Sequence, residues 1–182
     1  SMASYSTIET GSNSPLAKLV VDSWTAATLL DSTFPFSQYQ AFVVFHAGVG
    51  RDVNLVEILG FDPTPLDIPS IFLNLASLRL LLNNPGYPGV PVNNGAFLIT
   101  NSIVLPETET RALVLGTVRD TLELSINGLL AASFGSYLGL PDLFNTDNGR
   151  SGIGHFGLMD GAAIFAYNGL FPPEPSAWEK LY

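Results

Sequence analysis

The chain has 182 residues, 47% of them hydrophobic and 13% charged, with 17 glycines and 13 prolines, which suits one well-buried, turn-rich domain and is too little for two ordinary ones. Its 16 acidic residues against 7 basic ones give a net charge of -9 without a basic cluster, so nucleic acid and anionic membrane surfaces are poor partners. Cysteine is absent, which excludes disulfides and thiolate chemistry, and no apolar run reaches the roughly 18 to 20 residues of a membrane span.

In chain order, residues 1–12 read as a cloning remnant (Ser1-Met2-Ala3) and a flexible polar tail, and residues 13–182 as a single domain, a fragment of a larger secreted protein. Ser14-Pro15 supplies a helix cap and a first-turn proline. Leu16, Leu19, Val20, Trp24, Ala27 and Leu30 then recur at helical spacing up to Asp31, which predicts an amphipathic helix packed on a sheet with Trp24 in the core. A hydrophobic strand from Ala41 to His46 follows, ending at Ala47-Gly48-Val49-Gly50. These two glycines do not make a nucleotide-binding fingerprint, because the third glycine and the helix after it are missing. His46 reads as a satisfied core or loop histidine before any active role.

Residues 51–69 are mixed and rich in turns, 71–82 suggest a short helix, and 83–89, with two prolines and two glycines, are a loop. Ala96 to Leu105 reads as a strand or hairpin arm. The polar connection 106–111 carries Glu107 and Glu109, most simply read as solvated. From Thr121 to Leu138 the apolar spacing predicts a second helix, stopped by Gly139 in a left-handed cap and by Pro141. Phe156, Leu158 and Met159 are expected as core, 162–167 as a small apolar segment, and 176–180 as the start of a final helix.

A zinc hydrolase needs about three protein ligands, a water, and a carboxylate to take the water's proton. Two histidines one helical turn apart, with glutamate beside the first, would supply most of this. At that spacing the second helix carries Ala132, Ser133 and Ser136, and Asp142 beyond the turn has the nearest ligating side chain. His155 and His46 could supplement Asp142 in a rearranged site. Ser133 and Ser136 lack the elbow motif of a serine hydrolase. Residues 145–152 are rich in oxygen ligands and form a candidate calcium loop, though an ordinary polar loop is the simpler reading.

SFGSYLGLPDLFNT, SGIGHFGLMDG and PSAWEKLY, with FVVFHAGVGRD upstream, resemble the secreted zinc metallopeptidases of the immune inhibitor A type, part of the wider metzincin-like group. The resemblance implies an α+β fold, a mixed twisted sheet packed against an N-terminal helix and an active-site helix followed by a Met-turn. It also implies secretion from a bacterium or archaeon, hence an extracellular or cell-surface location, and protein substrates. In that family the helix carries His-Glu-x-x-His. Residue by residue, Ala132 stands at the first histidine, Ser133 at the glutamate base and Ser136 at the second histidine. Gly139 keeps the turn, Asp142 keeps the third ligand, and Met159 keeps the turn beneath the metal. The expectation is therefore a pseudoenzyme without catalytic residues, zinc or another cofactor. It would bind a protein or peptide, or support neighbouring domains of its parent chain. The alternative is a metal-dependent peptidase with a rearranged zinc site using Asp142 and His155.

Overall fold

The computed structural model describes residues 1–8, 10–146, 149–162 and 166–182, without the side chains of Leu115 and Ala162. At its centre lies β5 (Ser102–Thr108), flanked by β1 (Val43–Val49) in parallel and β2 (Ile71–Leu73) in antiparallel pairing. Residues 102–106 are all buried, as expected of a strand covered on both faces. Alternation divides them. Val104 joins Leu16, Leu19 and Val20 of α1 (Ser14–Leu30) in one core, whereas Ile103 and Leu105 meet Leu129 of α4 (Asn127–Tyr137) in another. The sheet is thus sandwiched between the two helices, a mixed α+β arrangement.

Trp24 belongs to the core side as expected. Its ring meets Phe36 and Phe42 edge-on, and Nε1 donates to Ser102 Oγ at 3.1 Å. The cap of α1 is Asn13 rather than Ser14, with Pro15 in the first turn. Leu30 does not extend the buried stripe; it is 91% exposed, because the last turn runs past the edge of the core. Residues 2–6 of the expected tail lie against the domain. Met2 and Tyr5 pack on the α1 core, Tyr5 Oη donates to Asp22 at 2.8 Å, and Ser6 is buried.

Several boundaries differ from the sequence reading, each for a local reason. The strand beginning near Ala41 runs on through His46 to Val49, with a bulge between the two that Gly48 accommodates at φ +99°. The segment 71–82, which follows the short helix α2 (Leu55–Leu59), divides at Asn74. Extended there, Asn74 caps α3 (Leu75–Leu81) by accepting from Ser77 N–H at 2.9 Å, so the three residues before it pair with β5. Ala96 to Leu105 contains two strands in different sheets. β4 (Phe97–Ile99) pairs with β3 (Val90–Val92), and β5 begins after it. The connection 106–111 is the end of β5 and the start of β6 (Arg111–Leu115). Helix α4 does not begin at Thr121. Thr121 and Leu122 close β7 (Val118–Leu122) against Ala112 and Arg111, around a two-residue loop with Gly116 at φ +63°. The last segment makes a turn, with Lys180 N–H on Ser176 O at 3.1 Å, rather than a helix. Of the apolar segment 162–167, residues 163–165 lie outside the described residues. No helix among the described residues is long and apolar enough to cross a membrane.

Candidate functional site

Helix α4 ends in two reciprocal backbone bonds, Leu140 N–H to Gly135 O at 3.0 Å and Gly139 N–H to Ser136 O at 3.1 Å. These are the paired bonds of a Schellman cap, and Gly139 at φ +98° supplies the left-handed residue it requires. The cap turns the chain back so that Asp142 lies near the helix it has left. Ala132, Ser133, Ser136, Gly139 and Asp142 line one wall of a cleft of about 1140 Å³, with His155 and Met159 also in its lining. The structure therefore brings Ala132, Ser133, Ser136, Gly139, Asp142, His155 and Met159 to one cleft.

Beneath α4, Leu158 and Met159 are buried with Ala131, Ala132, Leu140 and Leu143 packed on them. A Cβ on Gly135 would come within 2.6 Å of Met159 Sδ, so the helix approaches this closely because Gly135 has no side chain. Met159 is also fixed through its backbone. Its carbonyl accepts from Leu143 N–H at 2.9 Å, and its N–H donates to Glu179 Oε1 at 2.8 Å. Glu179, buried, accepts Ser176 N–H as well, while Ser176 Oγ takes Glu179 N–H at 3.2 Å, a capping box with an added task. Burial works to raise the Glu179 pKa, but the bonds from Ser176, Met159 and Leu158 outweigh it and hold the carboxyl below its usual range.

The loop after Gly149 is gathered on Asp160, which is fully buried. Asp160 accepts from Ser151 Oγ at 2.5 Å and from the N–H groups of Gly152, Ile153 and His155 at 2.8, 3.3 and 2.7 Å. Burial opposes its ionisation, yet these donors prevail and its pKa is lowered. His155 sits at φ +63° with Nδ1 3.2 Å from Asp160 O. Phe156 is not core: it is 82% exposed, because the loop turns outward to present backbone N–H groups to Asp160. In the candidate calcium loop, Asp147 and Asn148 lie outside the described residues, and Asn145 N–H is bonded to Arg150 O at 2.8 Å.

Asp142 lines the cleft with no hydrogen bond or ion pair among the described residues, and partial desolvation raises its pKa. His46 lies behind the cleft, within reach of the Asp52 charge. It is buried in β1, Nδ1 lies 3.1 Å from Ala47 O, Nε2 has no partner among the described residues, and it is absent from the cleft lining. Among the described residues no three His, Cys, Asp or Glu side chains are grouped to hold a metal ion.

The opposite wall carries a network the sequence reading missed. Asp52 lines the cleft and accepts Ser70 N–H at 2.9 Å and Ser70 Oγ at 2.8 Å. Behind it Glu109, read from sequence as solvated, is fully buried and close enough to feel the Asp52 charge, with Oε1 lacking a hydrogen-bond partner among the described residues. Burial, then the adjacent Asp52 charge, push the Glu109 carboxyl up to about 9; burial also raises Asp52. Burial thus favours the protonated form of both acids. Arg111 offsets the remaining charge, with Nη2 3.3 Å from Glu109 Oε2 and donating to Gly50 O, and Nη1 3.6 Å from Asp67. Gly50 is required here, since a Cβ would fall 1.6 Å from Glu109 Oε1. One signal was available in the sequence: Glu109 and Arg111 are two apart, so an extended chain puts both on one side.

Comparison of the chain with protein-family models, with curated proteins and with solved structures finds no match.

Proposed function

We propose that this chain is a catalytically inactive, metallopeptidase-like domain of a secreted protein, and that it binds a protein or peptide segment in the cleft. The observation that supports this reading is the face α4 offers to the cleft: a methyl group and two hydroxyls at the spacing where ligands and base would be needed. One carboxylate, Asp142, completes the wall. Hydroxyls are feeble zinc ligands, and a lone carboxylate falls well short of the roughly three ligands a catalytic zinc requires. The buried Met159 under the helix and the Gly139 turn agree with the metzincin-like resemblance of the sequence. An open cleft of about 1140 Å³ favours binding over a purely structural module, whose groove would be filled.

The test restores what is missing. In the combined variant Ala132→His, Ser133→Glu and Ser136→His, equilibrium dialysis should find one zinc per chain, lost again when Asp142→Ala is added. The unaltered chain should take up no stoichiometric zinc and cleave no peptide. A second reading, a peptidase with a rearranged site, draws on the presence of Asp142 and His155 in the same cleft. Chelator-sensitive peptide cleavage by the unaltered chain, abolished by Asp142→Ala, would establish it and overturn the first.

A further inference from the structure

We infer that the cleft recognises an extended peptide segment by the ammonium group of one lysine side chain, seated on Asp142 and the hydroxyls of Ser133 and Ser136. The inference rests on the peptide-binding reading above and names the chemistry of its ligand.

Asp142 differs from the other carboxylates of the cleft lining. Asp52 is bonded to Ser70, and Glu57 accepts from Asn54 Nδ2 at 3.4 Å, whereas Asp142 has no partner among the described residues. The nearby cations do not answer it. Arg51 is committed to Asp62 at 3.0 Å, His155 Nδ1 lies against Asp160 O, and Arg150 is engaged elsewhere. Ser133 has no side-chain hydrogen bond among the described residues either, and Ser136 Oγ directs its proton back to Ala132 O at 3.4 Å, leaving lone pairs for a donor. Three residues apart on a helix, the two hydroxyls share a face.

A carboxylate and two hydroxyl oxygens are acceptors in want of a donor-only group. An ammonium has three donors and no acceptor, and its compact shape tolerates three separate oxygens. A guanidinium is a planar fork suited to one bidentate carboxylate, so it matches this set less well. Leu129, Ala132, Leu140 and Met159 provide apolar lining for a four-carbon stem. The net charge of -9 favours approach of a cationic segment. At about 1140 Å³ the cleft exceeds the roughly 300–1,000 Å³ of small-molecule pockets, which suits a length of chain over a metabolite.

Fluorescent decapeptides of alternating serine and valine, acetylated and amidated at their ends, would be compared with lysine, arginine, norleucine or glutamate at one central position. Anisotropy titration should give the lysine peptide an affinity about tenfold above the norleucine peptide, roughly 1.4 kcal/mol. Arginine should fall between them, and glutamate should bind worst. In Asp142→Asn, its fold checked by circular dichroism, the lysine advantage should vanish; Ser133→Ala should reduce it. Equal binding of lysine and norleucine peptides, or a lysine preference that survives Asp142→Asn, overturns the inference and leaves the binding reading in place. Absence of binding by all four peptides overturns both.

Discussion

The two walls of the cleft handle polar chemistry in opposite ways. On the α4 side the helix residues facing the space are neutral, and Asp142 beside them has no partner among the described residues. On the other side Asp52, Glu109 and Arg111 crowd together, and their polar groups are turned on one another and on the backbone of Gly50 and Ser70. The difference teaches that the charged groups concentrated in this protein hold its wall together, while the face with room for a ligand has little reactivity. A count of acids in the sequence cannot make that distinction. Which acids are already bonded can.

Removing the cation should test the crowded wall most severely. Arg111→Ala leaves the Asp52–Glu109 pair and Asp67 without their buried counter-charge, and breaking such a pair costs about 3–5 kcal/mol. Chemical denaturation of purified protein should show the loss as a lower midpoint. A shift no larger than that of an exposed substitution such as Arg119→Ala would mean that the network contributes nothing to the wall.

A second effect on the same wall, with every partner in place, appears on changing pH. Glu109 binds its proton up to about 9 in the folded chain, against an ordinary 4.5. The folded state therefore holds a proton that the unfolded chain has released. This contribution to stability is complete below about 4.5 and is lost progressively as pH rises toward 9. Asp52, also raised by burial, acts in the same direction. Melting temperature should decline from pH 6 to pH 9, and Glu109→Gln, which keeps a neutral donor beside Asp52, should flatten that decline. An unchanged slope in Glu109→Gln would assign the pH dependence to other groups.

The same contrast explains what was legible in the sequence. Helix α1, the apolar strand β1 and the Gly139 stop are announced by short-range signals: 3.6-residue spacing, a continuous apolar run, and a glycine before a proline. Trp24, Leu158 and Met159 were readable as core because large apolar side chains have few other places to go. Glu109 was only half legible: its spacing to Arg111 was local, but its burial depends on Asp52 arriving from a distant loop, a tertiary fact with no local trace. Thr121 and Leu122 misled for a related reason. Their apolar spacing continues the pattern of α4, and the pairing with Arg111 and Ala112 that makes them a strand is not visible in either segment alone. Phe156 misled because its exposure follows from the bonds of its loop to Asp160 rather than from its own chemistry.

The neutral wall can be probed by the smallest change it admits, Gly135→Ala. In the open middle of a helix this substitution is favourable by about 0.8–1 kcal/mol. Here the new methyl would meet Met159 Sδ at 2.6 Å and Leu140 Cδ1 at 3.5 Å. The obstacle is the flexible end of a methionine, so Met159 can swing aside, but it is held at its own N–H and carbonyl and lies in a packed cluster. Overpacking of about 1–3 kcal/mol should then exceed the helix gain and leave Gly135→Ala destabilising by about 1 kcal/mol. In a Met159→Ala background the obstacle is gone, and the same substitution should become stabilising. Equilibrium unfolding of the four chains gives this reversal as an interaction energy. If the two changes simply add, Met159 does not lie under Gly135, and the support of α4 that distinguishes this wall from the charged one must come from elsewhere.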